Sequence, residues 1–219
     1  MSLLVWNYQG LGGSWTVQHL GWRIQDNKPS LDFLSETKCS CCLIESLKRK
    51  YDMYGFSIPS RGRSGGLAIL WMKLVNAQLQ KFSHNHVDLF VQLAEGLNWW
   101  RFTGIYGKLD NSKRDLTRNL LARLSAQSSR PWIFTVSGLS DIGFSGSSFT
   151  WSNRHIFQNT VLARLDRACA NVGWSQLFPE TMVSHIPVNY SDHKSLLIRL
   201  VDSQGYVPRS SRPSRFEAT

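Results

Sequence analysis

Short apolar bursts bounded by glycine, proline and polar residues alternate with stretches of helical period. LLVWN (3–7) and LDFLSE (31–36) have the length and boundaries of buried strands. Between them Val17, Leu20 and Ile24 recur at helical spacing behind Ser14, a residue type suited to an N-cap. GGLAILW (65–71), QLQKF (78–82), VDLFVQL (87–93) and WWRFTGIY (99–106) follow with short polar breaks, which predicts antiparallel strands. Ser112 and Asp115 form a capping-box pattern before Leu116, Leu120, Leu121 and Leu124, predicting a helix with Arg114, Arg118 and Arg123 off its apolar face. PWIFTV (131–136), SFTW (148–151) and SLLIRL (195–200) complete the strands. A chain that opens βαβ and continues as hairpins predicts a mixed α/β sandwich, since a doubly wound parallel sheet needs more helices. One domain is expected over 1–200. Serine, proline and arginine beyond Asp202 read as a disordered basic tail or linker, 201–219.

Composition narrows the function. The chain has 219 residues, 42% hydrophobic with nine tryptophans, too apolar for disorder and long enough to bury a core. No run approaches the roughly 18 apolar residues of a membrane span, and no positive region precedes the short N-terminal apolar stretch. A soluble, monomeric, intracellular protein, nuclear or cytoplasmic, is therefore expected, without membrane or small-molecule cofactor. Lys+Arg of 25 against Asp+Glu of 15 leaves a net charge of +10. The surplus is clustered: six basic and two acidic residues lie in 39–73, and seven and two in 101–130. Clustering suits a phosphate-facing surface, although a solvated face accounts for the same charges. Cys39, Cys41 and Cys42 have no second Cys/His pair at zinc-ligand spacing and read as ordinary loop cysteines. Trp99, Trp100 and Trp132 read as core, and GRSGG (62–66) as a turn before a strand.

Polar residues stand at the ends of the apolar strands, where sites are built: Asn7, Glu36, Tyr106, and Asp192–His193 before the last strand. With Asp166 they supply hard oxygen ligands for Mg²⁺ (Mn²⁺ being an alternative) and an Asp/His pair for proton traffic, the equipment of phosphodiester hydrolysis. In order, WNYQGLG (6–12), LSETK (34–38), GRSGGLAILW (62–71), FTGIYG (102–107), FTWSN (149–153), RLDRA (164–168) and SDHKSLLI (191–198) form a specific series. The chain resembles the endonuclease/exonuclease/phosphatase superfamily, nearest the endonuclease domain of plant LINE-type (non-LTR) retrotransposon polyproteins. SRPSRFEAT (211–219) looks like the lead from that domain toward reverse transcriptase, so no polymerase is expected in this chain.

The resemblance implies a four-layer α/β/β/α sandwich with its site at one end of the paired sheets. It implies Glu36 and Asp192 as metal ligands, with Asn7 orienting metal or nucleophile. It implies His193, paired with Asp166, and Tyr106 on the scissile phosphate, and Trp151 and Asn153 near DNA. Arg61 and Arg63 could touch phosphates from a loop or form structural ion pairs. One departure stands out: the family's Gly-Asp-x-Asn motif, which carries the candidate base, does not follow Val136, where the chain reads Ser137-Gly138-Leu139-Ser140-Asp141. Asp141 matches a later segment of the family and is no substitute. An internal deletion near 136–138 is the simplest reading. It implies lower stability and a DNA endonuclease impaired by several orders of magnitude. The alternatives are an inactive remnant binding nucleic acid weakly through its basic faces and, less favoured, a small-molecule phosphatase.

Overall fold

The computed structural model describes residues 1–62, 64–107, 114–136, 142–154, 159–188 and 191–201. Arg63, the expected cap Ser112, the 137–141 junction and the 202–219 tail lie outside the described residues. In chain order the elements are β1 (Ser2–Asn7), α1 (Ser14–Asn27), β2 (Leu31–Ser35), α2 (Cys41–Lys50), β3 (Met53–Ile58), β4 (Leu67–Met72), β5 (Asn76–Ser83), β6 (His86–Gln92), β7 (Trp100–Ile105), α3 (Arg114–Ser125), β8 (Trp132–Val136), β9 (Trp151–Ser152), β10 (Leu162–Ala163), β11 (Arg167–Ala170), α4 (Val172–Leu177), β12 (Met182–Ile186) and β13 (Ser195–Arg199).

Two sheets carry the fold. One runs β12-β13-β1-β2-β4-β3, the other β11-β8-β7-β6-β5, and β9–β10 pair separately. Among the described strands β1–β2 and β7–β8 pair in parallel, because those connections contain α1 and α3; the hairpins pair antiparallel. Alternation along each strand then sorts side chains into layers. Leu3 and Val5 of β1, Phe33 of β2, Leu89 of β6, Phe102 of β7 and Ile198 of β13 fill the central core between the sheets. Trp6, Leu34 and Leu70 face the other way, against Leu20 and Ile24 of α1 and Ile44 and Leu47 of α2. Leu121 and Leu124 of α3 cover Trp132 and Ile105 on the far side. The result is the α/β/β/α sandwich.

Two local expectations need correction. Gly13, not Ser14, is the N-cap of α1, because the needed hydroxyl comes from Thr16, which bonds Gly13 N at 3.2 Å and Gly13 O at 2.7 Å. SFTW is not a four-residue strand: the β9–β10 ladder covers only Trp151 and Ser152, while Thr150 Oγ1 accepts from the backbone N–H groups of Leu165 and Asp166, at 2.9 and 3.0 Å. Of the three tryptophans expected in the core, Trp100 and Trp132 are buried there, whereas Trp99, just ahead of β7, is only half-buried.

Asp32 sits in the middle of β2, opposite Leu4 and Leu70, fully buried, with neither carboxylate oxygen hydrogen-bonded among the described residues. Burial pushes its carboxyl well above the usual range. Its folded-state value lies above the unfolded one near 4. The Asp32 contribution to stability is therefore most favourable below about pH 4 and is lost as pH rises through the folded value. Asp32→Asn should flatten that slope, and Asp32→Val should add about 1–3 kcal/mol at pH 7, a gain of several degrees in Tm. Thermal unfolding of the three chains from pH 4 to 8 checks this; parallel curves for wild type and Asp32→Asn would contradict it.

Candidate active site

Topology gathers the expected residues at one end. β1 and β2 run parallel with Asn7 opposite Ser35, so Asn7 and Glu36 leave the sheet side by side. β13 is antiparallel to β1, with Val5 opposite Leu196, so Asp192 and His193 enter at that same end. In the second sheet Arg167 pairs with Val136, placing Asp166 beyond the C-terminal end of β8. Tyr106 leaves the parallel neighbour β7 there. The sheets approach closely at Gly104: a Cβ on it would stand 2.4 Å from the Phe33 ring. Its absence lets β7 lie on β2, and the Tyr106 hydroxyl donates to Glu36 Oε1 across the sandwich.

His193 is the centre. Its Nδ1 meets Asp166 Oδ2 at 2.8 Å and its Nε2 lies 3.5 Å from Asn7 Nδ2. Ser191 Oγ donates to Asn7 O (3.3 Å) and accepts from His193 N (3.1 Å), locking loop to strand. Asp192 Oδ2 accepts from Trp151 Nε1 at 2.8 Å and Gln9 Nε2 at 2.9 Å. Burial pulls the His193 imidazolium down, but the Asp166 hydrogen bond and the charges of Asp166, Asp192 and Glu36 outweigh it, so its value is raised. The Tyr106 phenol is also raised, by burial first and then by its bond to Glu36, and stays a donor.

The raised imidazole predicts a pH effect. The stabilisation from charged His193 is full below the unfolded value near 6.5 and is lost as pH rises through the higher folded value. In metal-free buffer, Asp166→Asn should bring the His193 titration to lower pH, because burial then acts with less opposition. A ring-proton NMR titration checks this, and an unmoved midpoint would contradict it.

Glu36, at φ +53°, is held from below by the turn ahead of β4: Thr37 N and Lys38 N donate to Gly66 O and Gly65 O. Gly66 has φ +86°, and a Cβ there would meet Thr37 Oγ1 at 2.4 Å, so this turn requires glycine. Arg61 is exposed on that turn, beside the Glu36 loop. Lys38 Nζ lies 3.4 Å from Glu36 Oε2. Asn153 spends its amide on the β9–β10 hairpin, donating to Asn159 O and accepting from Val161 N.

Hard oxygens suit a small dication. Asn7 Oδ1 and Asp192 Oδ1 are buried without a hydrogen-bond partner among the described residues, and Glu36 adds a carboxylate. Among the described residues no three His, Cys, Asp or Glu side chains cluster to hold a metal by themselves. The two carboxylates and one amide oxygen suit Mg²⁺, which keeps several waters and takes one or two protein carboxylates. Gln9, Lys38 and Ser191 were not among the expected residues; Gln9 and Lys38 reach the site through positive-φ backbone that only neighbouring Gly10 hints at.

The two packed sheets and their helical layers are the endonuclease/exonuclease/phosphatase fold, that of deoxyribonuclease I. The endonuclease domain of TRAS1, a telomere-specific non-LTR retrotransposon, superposes with a TM-score of 0.65 at 12% identity, covering 91% of this chain and 97% of that one. The 3′ phosphatase NExo from Neisseria, bound to a product DNA hairpin, gives 0.64 at 14%, covering 91% and 99%. TDP2 from D. rerio, complexed with single-strand DNA product, gives 0.62 at 15%, covering 90% and 97%. No protein-family model and no curated protein matches the sequence. No described helix is long and apolar enough to cross a membrane.

Proposed function

We propose that this chain is a Mg²⁺-dependent DNA phosphodiesterase domain of the retrotransposon-endonuclease type, able to dock its substrate but impaired in turnover. The observation that carries the reading is His193, gripped by Asp166 on one ring nitrogen and facing Asn7 on the other, where both sheets end. A buried imidazole held by a carboxylate, beside an amide donor, suits the charge that develops on a phosphate. Tyr106 offers a second donor from the opposite sheet. Glu36 and Asp192, with Asn7, would hold Mg²⁺, which when bound neutralises phosphate charge and polarises a phosphorus–oxygen bond. Lys38 then has to yield its contact with Glu36. Trp151 fixes Asp192, while Arg61 and the +10 net charge favour a polyanion. DNA is the polyanion favoured here, since NExo and TDP2 were each captured with DNA product.

Impairment follows from position. Val136 ends β8 beside Asp166, and Ile142 N already bonds Ala168 O at 3.1 Å. A Gly-Asp-x-Asn segment after Val136 would begin at the site, and no such motif is present to take a proton from the attacking water. The purified chain with Mg²⁺ should leave supercoiled plasmid essentially intact. It should still bind random duplex with an affinity that falls steeply between about 50 and 200 mM salt. Robust nicking, lost on Glu36→Ala, would show that another group replaces the base. Salt-insensitive binding would contradict phosphate docking.

A further inference from the structure

Helix α1 carries three aromatic side chains at i, i+4 and i+7. Trp15 is 64% exposed and Trp22 43% exposed. His19 bridges them, stacked on Trp15 with ring centres 6.3 Å apart and edge-on to Trp22 at 4.7 Å. A soluble helix face rarely displays two tryptophans with no task. At its N-terminal end this ladder opens into a cavity of about 70 Å³, walled by Trp6, Tyr8, Trp15, His19 and Ser191.

Two features tie the cavity to the site and to a ligand. Ser191 is the residue that bonds both Asn7 O and His193 N, and Asn7 is the residue between Trp6 and Tyr8. The cavity therefore adjoins the place proposed for the scissile phosphate. Independently, the walls are largely aromatic: the Trp6 and Tyr8 rings pack with centres 4.1 Å apart, and Trp15 and His19 stack beside them. An aromatic-walled opening suits a flat ring.

We propose that this cavity takes one unpaired nucleobase of the bound strand, next to the scissile phosphate. Trp15, the exposed ring of the wall, supplies the stacking face. His19 and Trp22 extend the stacking surface for the bases that follow. Stacking on aromatic side chains is tolerant of sequence, so the site prefers unpaired over paired DNA without reading its sequence. The proposal rests on nucleic acid occupying the His193 site and names the form it takes there.

The test is binding in EDTA of two fluorescent probes, a blunt hairpin duplex and the same duplex with a three-nucleotide unpaired tail. Wild type should hold the tailed probe roughly tenfold more tightly. Trp15→Ala, a change at an exposed position, should erase that advantage and leave blunt-duplex affinity unchanged. A 2-aminopurine in the tail should be quenched by wild type and not by Trp15→Ala. Equal affinity of wild type for both probes, or a preference surviving in Trp15→Ala, would overturn the proposal. Plasmid nicking by a chain with the missing segment restored tests the nuclease reading alone, so the two failures are distinguishable.

Discussion

Arg101→Ala should destabilise the domain by about 3–5 kcal/mol and lower its Tm by roughly 10 °C. Arg101 and Asp88 are 3% and 1% exposed and pair through two parallel bonds of 2.8 and 2.9 Å. The third guanidinium nitrogen donates to Leu124 O at 2.6 Å, tying α3 to the sheet. Thr103 Oγ1 donates to Asp88 Oδ1 and accepts from Trp132 Nε1, and the guanidinium lies 5.0 Å from the Trp132 ring. Truncating the arginine leaves a carboxylate buried with only a hydroxyl for company and frees the α3 carbonyl. Replacing both members, Arg101→Met with Asp88→Leu, should cost far less, because no charge is stranded. Denaturant and thermal unfolding of single and double variants check this; a shift under about 2 °C for Arg101→Ala would contradict it.

Inserting the Gly-Asp-x-Asn segment of an intact relative after Val136 should raise plasmid nicking by about 10²–10⁴-fold, the usual worth of a general base. The estimate treats the remaining groups as already in place: Asp166 on His193, Tyr106 on Glu36, and Trp151 and Gln9 on Asp192. Turnover should gain more than affinity, because the added carboxylate acts in the transition state, whereas charge and the His193 cluster govern docking. Nicking followed with and without the insert, beside duplex affinity, separates the two. An insert that tightens binding without nicking would contradict the assignment.

The strands were legible where apolar runs are long and two-sidedly buried, as in β1, β2, β4 and β13, whose residues are almost all inside. Helix α2 was not, since Ile44 and Leu47 are its only buried positions and its end is Lys48-Arg49-Lys50, which suits a helix C-terminus but reads as a charged loop. Strand β3 is edge and half-exposed, with no clean alternation to find. The site was legible as a set of motifs, not as contacts. Asp166 and His193 are 27 residues apart in sequence, and their pairing depends on β11 and β13 starting at the same end of the sandwich. Gln9 and Lys38 were missed because left-handed backbone at non-glycine residues has no clear sequence signature. The tryptophans of α1 were passed over because they lie off the Leu20–Ile24 face that marks the helix.

The decisive measurement is supercoiled-plasmid nicking by the segment-restored chain with and without His193→Gln, both confirmed folded by circular dichroism. If the phosphate is docked and cut where His193, Asp166 and Asn7 converge, nicking should fall by about 10²-fold or more on that substitution. Nicking that survives His193→Gln at the parent rate would place the chemistry elsewhere and contradict the account.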